Sequence, residues 1–189
     1  WKACLAAPPP PLPAAAPDRI PAPAAWPASD DLATWQLRPV APDWSGGLAA
    51  TFEPGEAGAL ARLEAFLDGP AAGYRAARDT PGVAGTSRLS PHLHFGELSP
   101  RQVWHAVQAA SAAGEVPAGE GLAFLRELGW REFSAHLLHH WPDLPEQPLR
   151  PGFADFPWQP NPALYSAWCR GRTGYPLVDA GMRELWTTG

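Results

Sequence analysis

The sequence predicts an all-α fold, because helical patterns dominate the chain beyond residue 54 and no strand pattern rivals them. Apolar residues recur there every three or four positions, which places them on one face of a helix. Serine, proline and glycine stand at positions where helices begin and end. No segment alternates apolar and polar residues as a half-buried strand does. With 189 residues, 46% of them hydrophobic, the chain can form one domain with a core.

Residues 1–54 are instead predicted to form an irregular linker that is rich in proline and alanine. The stretch Pro8–Pro13 has the sequence PPPPLP. Proline removes a backbone donor and fixes an extended backbone, so a helix or sheet is disfavoured here. A polyproline ligand for a partner module is the alternative interpretation. Three tryptophans are expected to pack this linker onto other surfaces: Trp26, Trp35 and Trp44.

Two helices are predicted next, each with its own boundary signals. The first begins near Pro54 and ends before Gly69, which precedes a proline. The second has Ser99 as N-cap, a proline directly after it, and Gln102 to complete a capping box. Gly114 ends this helix.

The longest helix is predicted over residues 120–141, where Pro142 ends it. A loop rich in proline and aromatic residues follows, through Trp158. Two more helices are expected, at 162–170 and 176–186. The last helix is expected to bury one face, made of Leu177, Val178, Met182 and Leu185.

One face of the longest helix carries a candidate site. At about 100° per residue, four positions share this face: Glu127, Trp130, Arg131 and Ser134. A carboxylate, an indole and a guanidinium so placed suit a pocket for a planar ligand and a nucleic acid. Apolar residues cover much of the remaining circumference, which predicts a helix buried on several sides. An internal Glu127–Arg131 pair beside core packing is the alternative.

A second candidate is the turn Gly85–Pro91, which lies ahead of a helix. It offers hydroxyls from Thr86, Ser87 and Ser90, together with several backbone N–H groups. Such turns bind phosphate well. Ordinary helix capping is the alternative interpretation.

No metal site is predicted. His92 and His94 lie two positions apart, so a helix would point them to different sides. The neighbouring pair His139 and His140 also lacks the further ligands that a metal needs.

Charge and hydropathy narrow the classes of protein. A net charge of −5 excludes a generally basic coat for nucleic acid, so any DNA contact must come from a local arginine cluster. No run approaches the roughly 18 apolar residues of a membrane span. The start of the chain lacks the pattern of a signal peptide. The sequence therefore predicts a soluble, cytoplasmic protein, associated with the nucleoid if it acts on DNA.

The motifs together resemble the flavin-binding helical domain of DNA photolyases and cryptochromes. The resemblance covers roughly residues 55–189 and is strongest to bacterial class I photolyases for cyclobutane pyrimidine dimers. It rests on TSRLSP at 86–91, HFGELSPRQVW at 94–104, ELGWREF at 127–133, WQPNP at 158–162 and GRTGYPLVDAGMREL at 171–185. It implies that residues 55–189 are the N-terminal part of that domain, the rest of which would follow Gly189. Residues 1–50 are similar to the join after the family's antenna domain.

The resemblance implies a bound FAD and gives its contacts residue by residue. Tyr74, Phe124 and Arg131 match positions at the flavin. The turn that would hold the FAD phosphates consists of Thr86, Ser87, Arg88, Leu89 and Ser90. The identity of any antenna chromophore stays open.

The same resemblance implies light-driven repair of DNA that contains pyrimidine dimers. Reduced, excited FAD would donate an electron to the dimer, whose ring splits before the electron returns. Glu127 would bond the pyrimidines and Trp130 would pack against the flipped dimer. Arg78 would contact the DNA backbone, with Arg131 on the same surface. Trp158 would be the outer end of a tryptophan electron-transfer chain.

Three alternatives remain at this point. A cryptochrome-type photoreceptor would bind FAD without repair, but plant-type members commonly replace the pair that this chain keeps as Glu127 and Trp130. Photolyases for (6-4) photoproducts usually have glutamine where Glu127 stands. The third alternative is a non-catalytic fragment that does not hold FAD and that self-associates through exposed apolar surface.

Overall fold

Helices are the regular elements of the computed structural model, which describes Pro11 and residues 14–189. The helices are α1 (Gly46–Thr51), α2 (Glu56–Leu67), α3 (Tyr74–Ala77), α4 (Ser90–His94), α5 (Pro100–Ala112), α6 (Ala118–His140), α7 (Pro162–Cys169) and α8 (Pro176–Thr188). Short 3-10 turns occupy Leu32–Trp35, Pro70–Gly73 and Pro151–Phe153. The described residues contain no strand, so the all-α prediction is confirmed.

The described residues fall into two compact units. The first is Pro54–Trp158, which contains α2 to α6. The second combines Ala14–Glu53 with Gln159–Gly189 and contains α1, α7 and α8. The expected division into a linker (1–54) and a helical domain (55–189) stays a prediction.

The core of the first unit lies between α2, α3, α5 and α6. Its largest contributors are Leu63, Phe66, Tyr74, Leu89, Leu98, Val103, Val107, Phe124 and Leu125, all of them buried. Each large apolar side chain removed from water stabilises the fold by about 1.5–3 kcal/mol. Gly121 lets α5 and α6 approach closely, because a Cβ at this position would lie 2.6 Å from Ser111 Oγ.

The predicted capping box at the start of α5 is present. Ser99 Oγ accepts from the Gln102 N–H at 3.3 Å, and Gln102 Oε1 accepts from the Ser99 N–H at 2.8 Å. These bonds satisfy two donors that a helix start leaves free, and such a cap contributes about 1 kcal/mol.

The prediction that α6 is buried on several sides is wrong for its second half. Phe124 and Leu125 are buried, whereas Phe133 and Leu138 are exposed. The reason is that α6 packs against α3, α5 and the 70–73 turn through its first half. None of the described helices is long and apolar enough to cross a membrane.

Within the second unit, α8 packs on α1. Gly47 makes this possible, because a Cβ there would overlap the carbonyl oxygen of Thr187. The prediction that one face of α8 is buried is wrong. On that face Leu177, Val178 and Leu185 are exposed, and only Met182 is half-buried. Position 187 lies on the opposite side of the helix, which is the side that α1 covers.

The segment before α1 also differs from expectation. Trp26, Trp35 and Trp44 are exposed, so the prediction that they anchor the segment is wrong. Local contacts organise part of it instead: Asp31 Oδ1 accepts from the Ala33 N–H at 3.0 Å and starts the 32–35 turn. Helix α1 interrupts an otherwise largely irregular stretch.

Candidate functional site

Helix α6 carries the predicted site residues on successive turns. Phe124 is buried in the core, and Glu127, one turn later, is half-buried. Trp130 is 61% exposed, and Arg131 lies beside it in the sequence. The helix therefore leads from the core of the first unit to its surface.

The inner end of this row belongs to a cluster of three aromatic rings. The Tyr74 ring stands edge-on to Phe66 at 5.8 Å and to Phe124 at 5.2 Å, and the Phe66 and Phe124 centroids are 4.6 Å apart. Edge-to-face pairs stabilise by about 0.5–1.5 kcal/mol beyond area burial. Burial raises the pKa of the Tyr74 phenol.

Above this cluster, Arg78 and Glu127 form an ion pair. Arg78 Nη1 donates to Glu127 Oε1, and Arg78 Nε lies 3.4 Å from Asp79 Oδ1. The guanidinium carbon sits 5.4 Å from the centroid of the Tyr74 ring, a cation–π distance. The hydrogen bond that Arg78 donates to Glu127 raises the pKa of Arg78 above its usual range. Arg78 and Glu127 were each predicted as site residues, but their pairing was not.

Arg131 has a different partner from the one considered in the sequence. Its Nη2 donates to the Leu93 carbonyl at 3.0 Å, near the end of α4. The internal Glu127–Arg131 pair is therefore not formed, because Glu127 pairs with Arg78 and Arg131 donates to Leu93. Arg131 joins α6 to the element that follows the predicted phosphate turn.

The turn at residues 85–90 lies against the end of α3. A Cβ at Gly85 would overlap Ala77, so glycine allows this contact. Thr86 and Ser90 are exposed, Ser87 is half-buried, and Leu89 is buried as an apolar anchor. Arg88 adopts a left-handed backbone, with φ 52°. The turn thus presents hydroxyls at the surface on a fixed base.

Sequence reasoning missed a buried pair next to this turn. His92 is 2% exposed, and its Nδ1 lies 2.6 Å from Glu97 Oε2. Glu97 Oε1 also accepts from the Gly55 N–H at 2.8 Å. These two hydrogen bonds lower the pKa of Glu97, with the bond to His92 the larger cause. A carboxylate five positions after a histidine on a buried helix was the available signal.

Two predicted tryptophans lie at the surface. Trp130 stands edge-on to Phe133 at 5.7 Å, and its carbonyl accepts from Ser134 Oγ at 2.9 Å. Trp158 is 76% exposed and 4.7 Å from the Phe156 ring. Both indoles therefore keep a face open to a partner.

The chain is similar in sequence to known photolyases and cryptochromes. Residues 124–189 match the family described as the FAD binding domain of DNA photolyase. The whole chain is 43% identical to a deoxyribodipyrimidine photo-lyase of Agrobacterium fabrum, covering 39% of that protein. It is 45% identical over 147 residues to Cryptochrome-1 of Arabidopsis thaliana, which is 75% of this chain and 22% of that protein.

A solved structure extends the likeness to three dimensions. It is a bacterial class III photolyase from Agrobacterium tumefaciens, which superposes with a TM-score of 0.94 at 43% identity. All of this chain and 39% of that one are covered.

The chain belongs to the photolyase/cryptochrome family. It spans about two fifths of the length of the photolyases just described. Because the solved relative is a class III photolyase, the resemblance to class I gains only weak support.

In this family member, the second unit has an ordered turn that was not predicted as part of a site. Asp179, in the first turn of α8, is buried and accepts from both the N–H and the O–H of Thr173 at 2.7 Å. Its other oxygen accepts from the Gly174 N–H at 3.0 Å. The Thr173 hydroxyl is the largest cause of the lowered pKa of Asp179. An acidic residue in the first turn of a proline-started helix was the signal for such a cap.

Across Pro11 and residues 14–189, no group of three or more His, Cys, Asp or Glu side chains is arranged to hold a metal ion. His92 is occupied by Glu97, and His94 packs edge-on to Phe95 at 4.8 Å. His92 and His94 therefore have separate contacts.

Proposed function

We propose that this chain is part of the FAD- and DNA-binding region of a light-driven enzyme that repairs cyclobutane pyrimidine dimers. The observation that carries the proposal is the combination of Glu127 and Trp130 on α6 with Arg78 paired to Glu127. An open indole can stack on a base, a half-buried carboxylate can accept from a pyrimidine imide, and an arginine can bind a phosphate. The identity to named photolyases supports the same conclusion.

FAD is the cofactor that fits this donor set. The exposed hydroxyls of Thr86 and Ser90, with Ser87 and the N–H groups around Leu89, suit the pyrophosphate. Arg88 is exposed on the same turn. When bound, FAD supplies photoexcited electron transfer. The protein would position the cofactor, and it holds Phe124 and Arg131 in place from α6.

Repair requires the dimer to leave the base stack. A flipped pyrimidine would stack on Trp130 with about 1–3 kcal/mol of stabilisation. Glu127 would accept a hydrogen bond from its imide N–H. Trp158, open to solvent, would exchange electrons with external reductants.

A cryptochrome-type photoreceptor is the second candidate, favoured by the identity to Cryptochrome-1. It would hold FAD without dimer repair. The retention of Glu127 and Trp130 favours repair. A fragment that does not hold FAD is the third candidate.

We propose a cytoplasmic protein that acts at the nucleoid, uses no metal, and self-associates through apolar surface. The likeness to a class III photolyase supports that class over class I.

The test is repair by the chain after incubation with FAD. An oligonucleotide with one thymine dimer is illuminated with blue light, and dimer loss is followed by chromatography. Repair supports the proposed function, and Trp130→Ala should then lower the affinity for the dimer about tenfold. Trp26→Ala, which removes an exposed tryptophan outside the first unit, serves as the matched control. Bound FAD without repair supports the photoreceptor, and absence of bound FAD supports the fragment.

A further inference from the structure

Arg78 and Glu127 are the two residues proposed above for DNA backbone and pyrimidine contact, and in this structure they bind each other. They are 49 residues apart in sequence, at the end of α3 and in the middle of α6. Their side chains are 33% and 35% exposed, so both can be reached from solvent. The ion pair therefore occupies the surface that DNA would approach.

The ion pair couples the proposed contact of Arg78 with a phosphate to the proposed contact of Glu127 with a pyrimidine. Arg78 is held by Glu127, by Asp79 and by the face of the Tyr74 ring. If Arg78 turns to a phosphate, the half-buried Glu127 carboxylate loses its ion-pair partner. A charged acceptor left without a donor is costly. In the described part of the chain, no other side chain donates to Glu127.

Bound DNA would exclude water from Glu127, so it compensates for this loss only if it brings a donor to the carboxylate. Undamaged bases stay stacked and present none at this position. An extruded pyrimidine presents its imide N–H while the adjacent phosphate reaches Arg78. Loss of the ion pair is therefore compensated on DNA with an extruded pyrimidine and uncompensated on undamaged DNA. Such a difference gives specificity by weakening binding of the wrong ligand.

We propose that the Arg78–Glu127 pair is a specificity latch that weakens binding of undamaged DNA and opens at little cost on DNA with an extruded pyrimidine. This inference rests on the proposed function. It makes Glu127 a determinant of discrimination against undamaged DNA, in addition to its contact with the dimer.

The experiment compares two charge-neutralising changes on the same helix. Glu127→Gln breaks the latch. Glu132→Gln removes the same charge from an exposed residue outside the site. The affinities of the 189-residue chain for two fluorescent oligonucleotides, with and without one thymine dimer, are measured by anisotropy at low salt, where charge effects are largest.

Glu132→Gln is expected to tighten binding to both oligonucleotides to the same small extent. Glu127→Gln is expected to tighten binding to undamaged DNA about threefold more than this control, the size of a partly exposed ion pair. Binding to the dimer should not tighten beyond the control, so the ratio of damaged to undamaged affinity falls. Equal effects of the two changes on undamaged DNA would overturn the latch.

A double-mutant cycle assigns the effect to the pair. In an Arg78→Met background, Glu127→Gln should behave like Glu132→Gln, because no guanidinium remains to be released. A persistent extra gain overturns the inference, as does loss of helical circular dichroism in Glu127→Gln. Failure of the unsubstituted chain to prefer the dimer refutes the proposed function instead. Absence of binding to either oligonucleotide refutes both.

Discussion

Arg78 and Arg131 each use a guanidinium to hold α6 to a different helix. Arg78 reaches Glu127 from the end of α3, and Arg131 reaches the carbonyl of Leu93 near the end of α4. The planar guanidinium offers several donors in fixed directions, so a single bond to one partner leaves others for a ligand. Arg131 can therefore support the fold and still contact DNA or FAD phosphate. Arg78 differs, because it has to turn away from the Glu127 carboxylate to reach a phosphate.

Phe124 is the residue at which packing and cofactor roles can be separated. Its ring lies inside the core against Phe66 and Tyr74. We expect Phe124→Ala to lower the free energy of unfolding by about 3–5 kcal/mol without any cofactor. The exposed Phe133→Ala, on the same helix, should cost less than about 1 kcal/mol. Urea unfolding followed by circular dichroism measures both, and equal small losses would contradict a core role for Phe124.

Residue roles could be predicted only where one segment contains the whole signal. The Ser99–Gln102 capping box was predicted because both partners lie within one helical turn. The Arg78–Glu127 pair was not, because it depends on how α3 packs against α6. The roles predicted for Tyr74 and for the turn at 86–90 stay predictions, since they concern contacts to FAD.

At the scale of elements, helix boundaries follow from local chemistry, whereas burial does not. The predicted helix at 120–141 lies within two residues of α6, and its end was predicted because Pro142 disfavours a helical backbone at the residue before it. The buried face of α8 was predicted wrongly. Its apolar residues share a face, but α1 packs on the side of Thr187. A periodic pattern shows which residues are apolar together and does not show which neighbour covers them.

The turn before α8 gives a prediction about pH. Asp179 caps it through Thr173 and Gly174, and these bonds hold its pKa below the ordinary value. A lowered pKa in the folded state adds stability above the unfolded pKa of about 4, and this stability is lost as pH falls through the folded pKa. We therefore expect Asp179→Asn to lower the melting temperature at pH 7.

The difference from the unsubstituted chain should begin to shrink as the pH falls below about 4, where the unfolded chain takes up the proton. It should be lost once the pH falls below the lowered pKa of Asp179 in the folded state. Thermal unfolding at several pH values measures it. Asp155→Asn is the matched control, because Asp155 is exposed. A difference that stays constant with pH would show that Asp179 acts through packing alone.

At the scale of the whole molecule, the net charge opposes self-association and the exposed apolar surface favours it. The net charge of −5 repels copies of the chain from one another at low salt. Yet α8 exposes large apolar side chains, among them Leu177 at 69% and Trp186 at 85%. Apolar area of this kind is removed from water when copies associate, and salt weakens the opposing repulsion.

We therefore expect the chain to self-associate, and to do so more strongly as salt rises. Sedimentation velocity at increasing protein concentration should show growth of the average mass. The double change Leu185→Glu and Trp186→Glu should reduce this growth, because it places charge on the exposed face of α8. Ala57→Glu and Ala61→Glu on the exposed side of α2 form the control, because they add the same two negative charges without touching this face. A chain that stays monomeric at high salt would show that this apolar face is too dispersed to drive association.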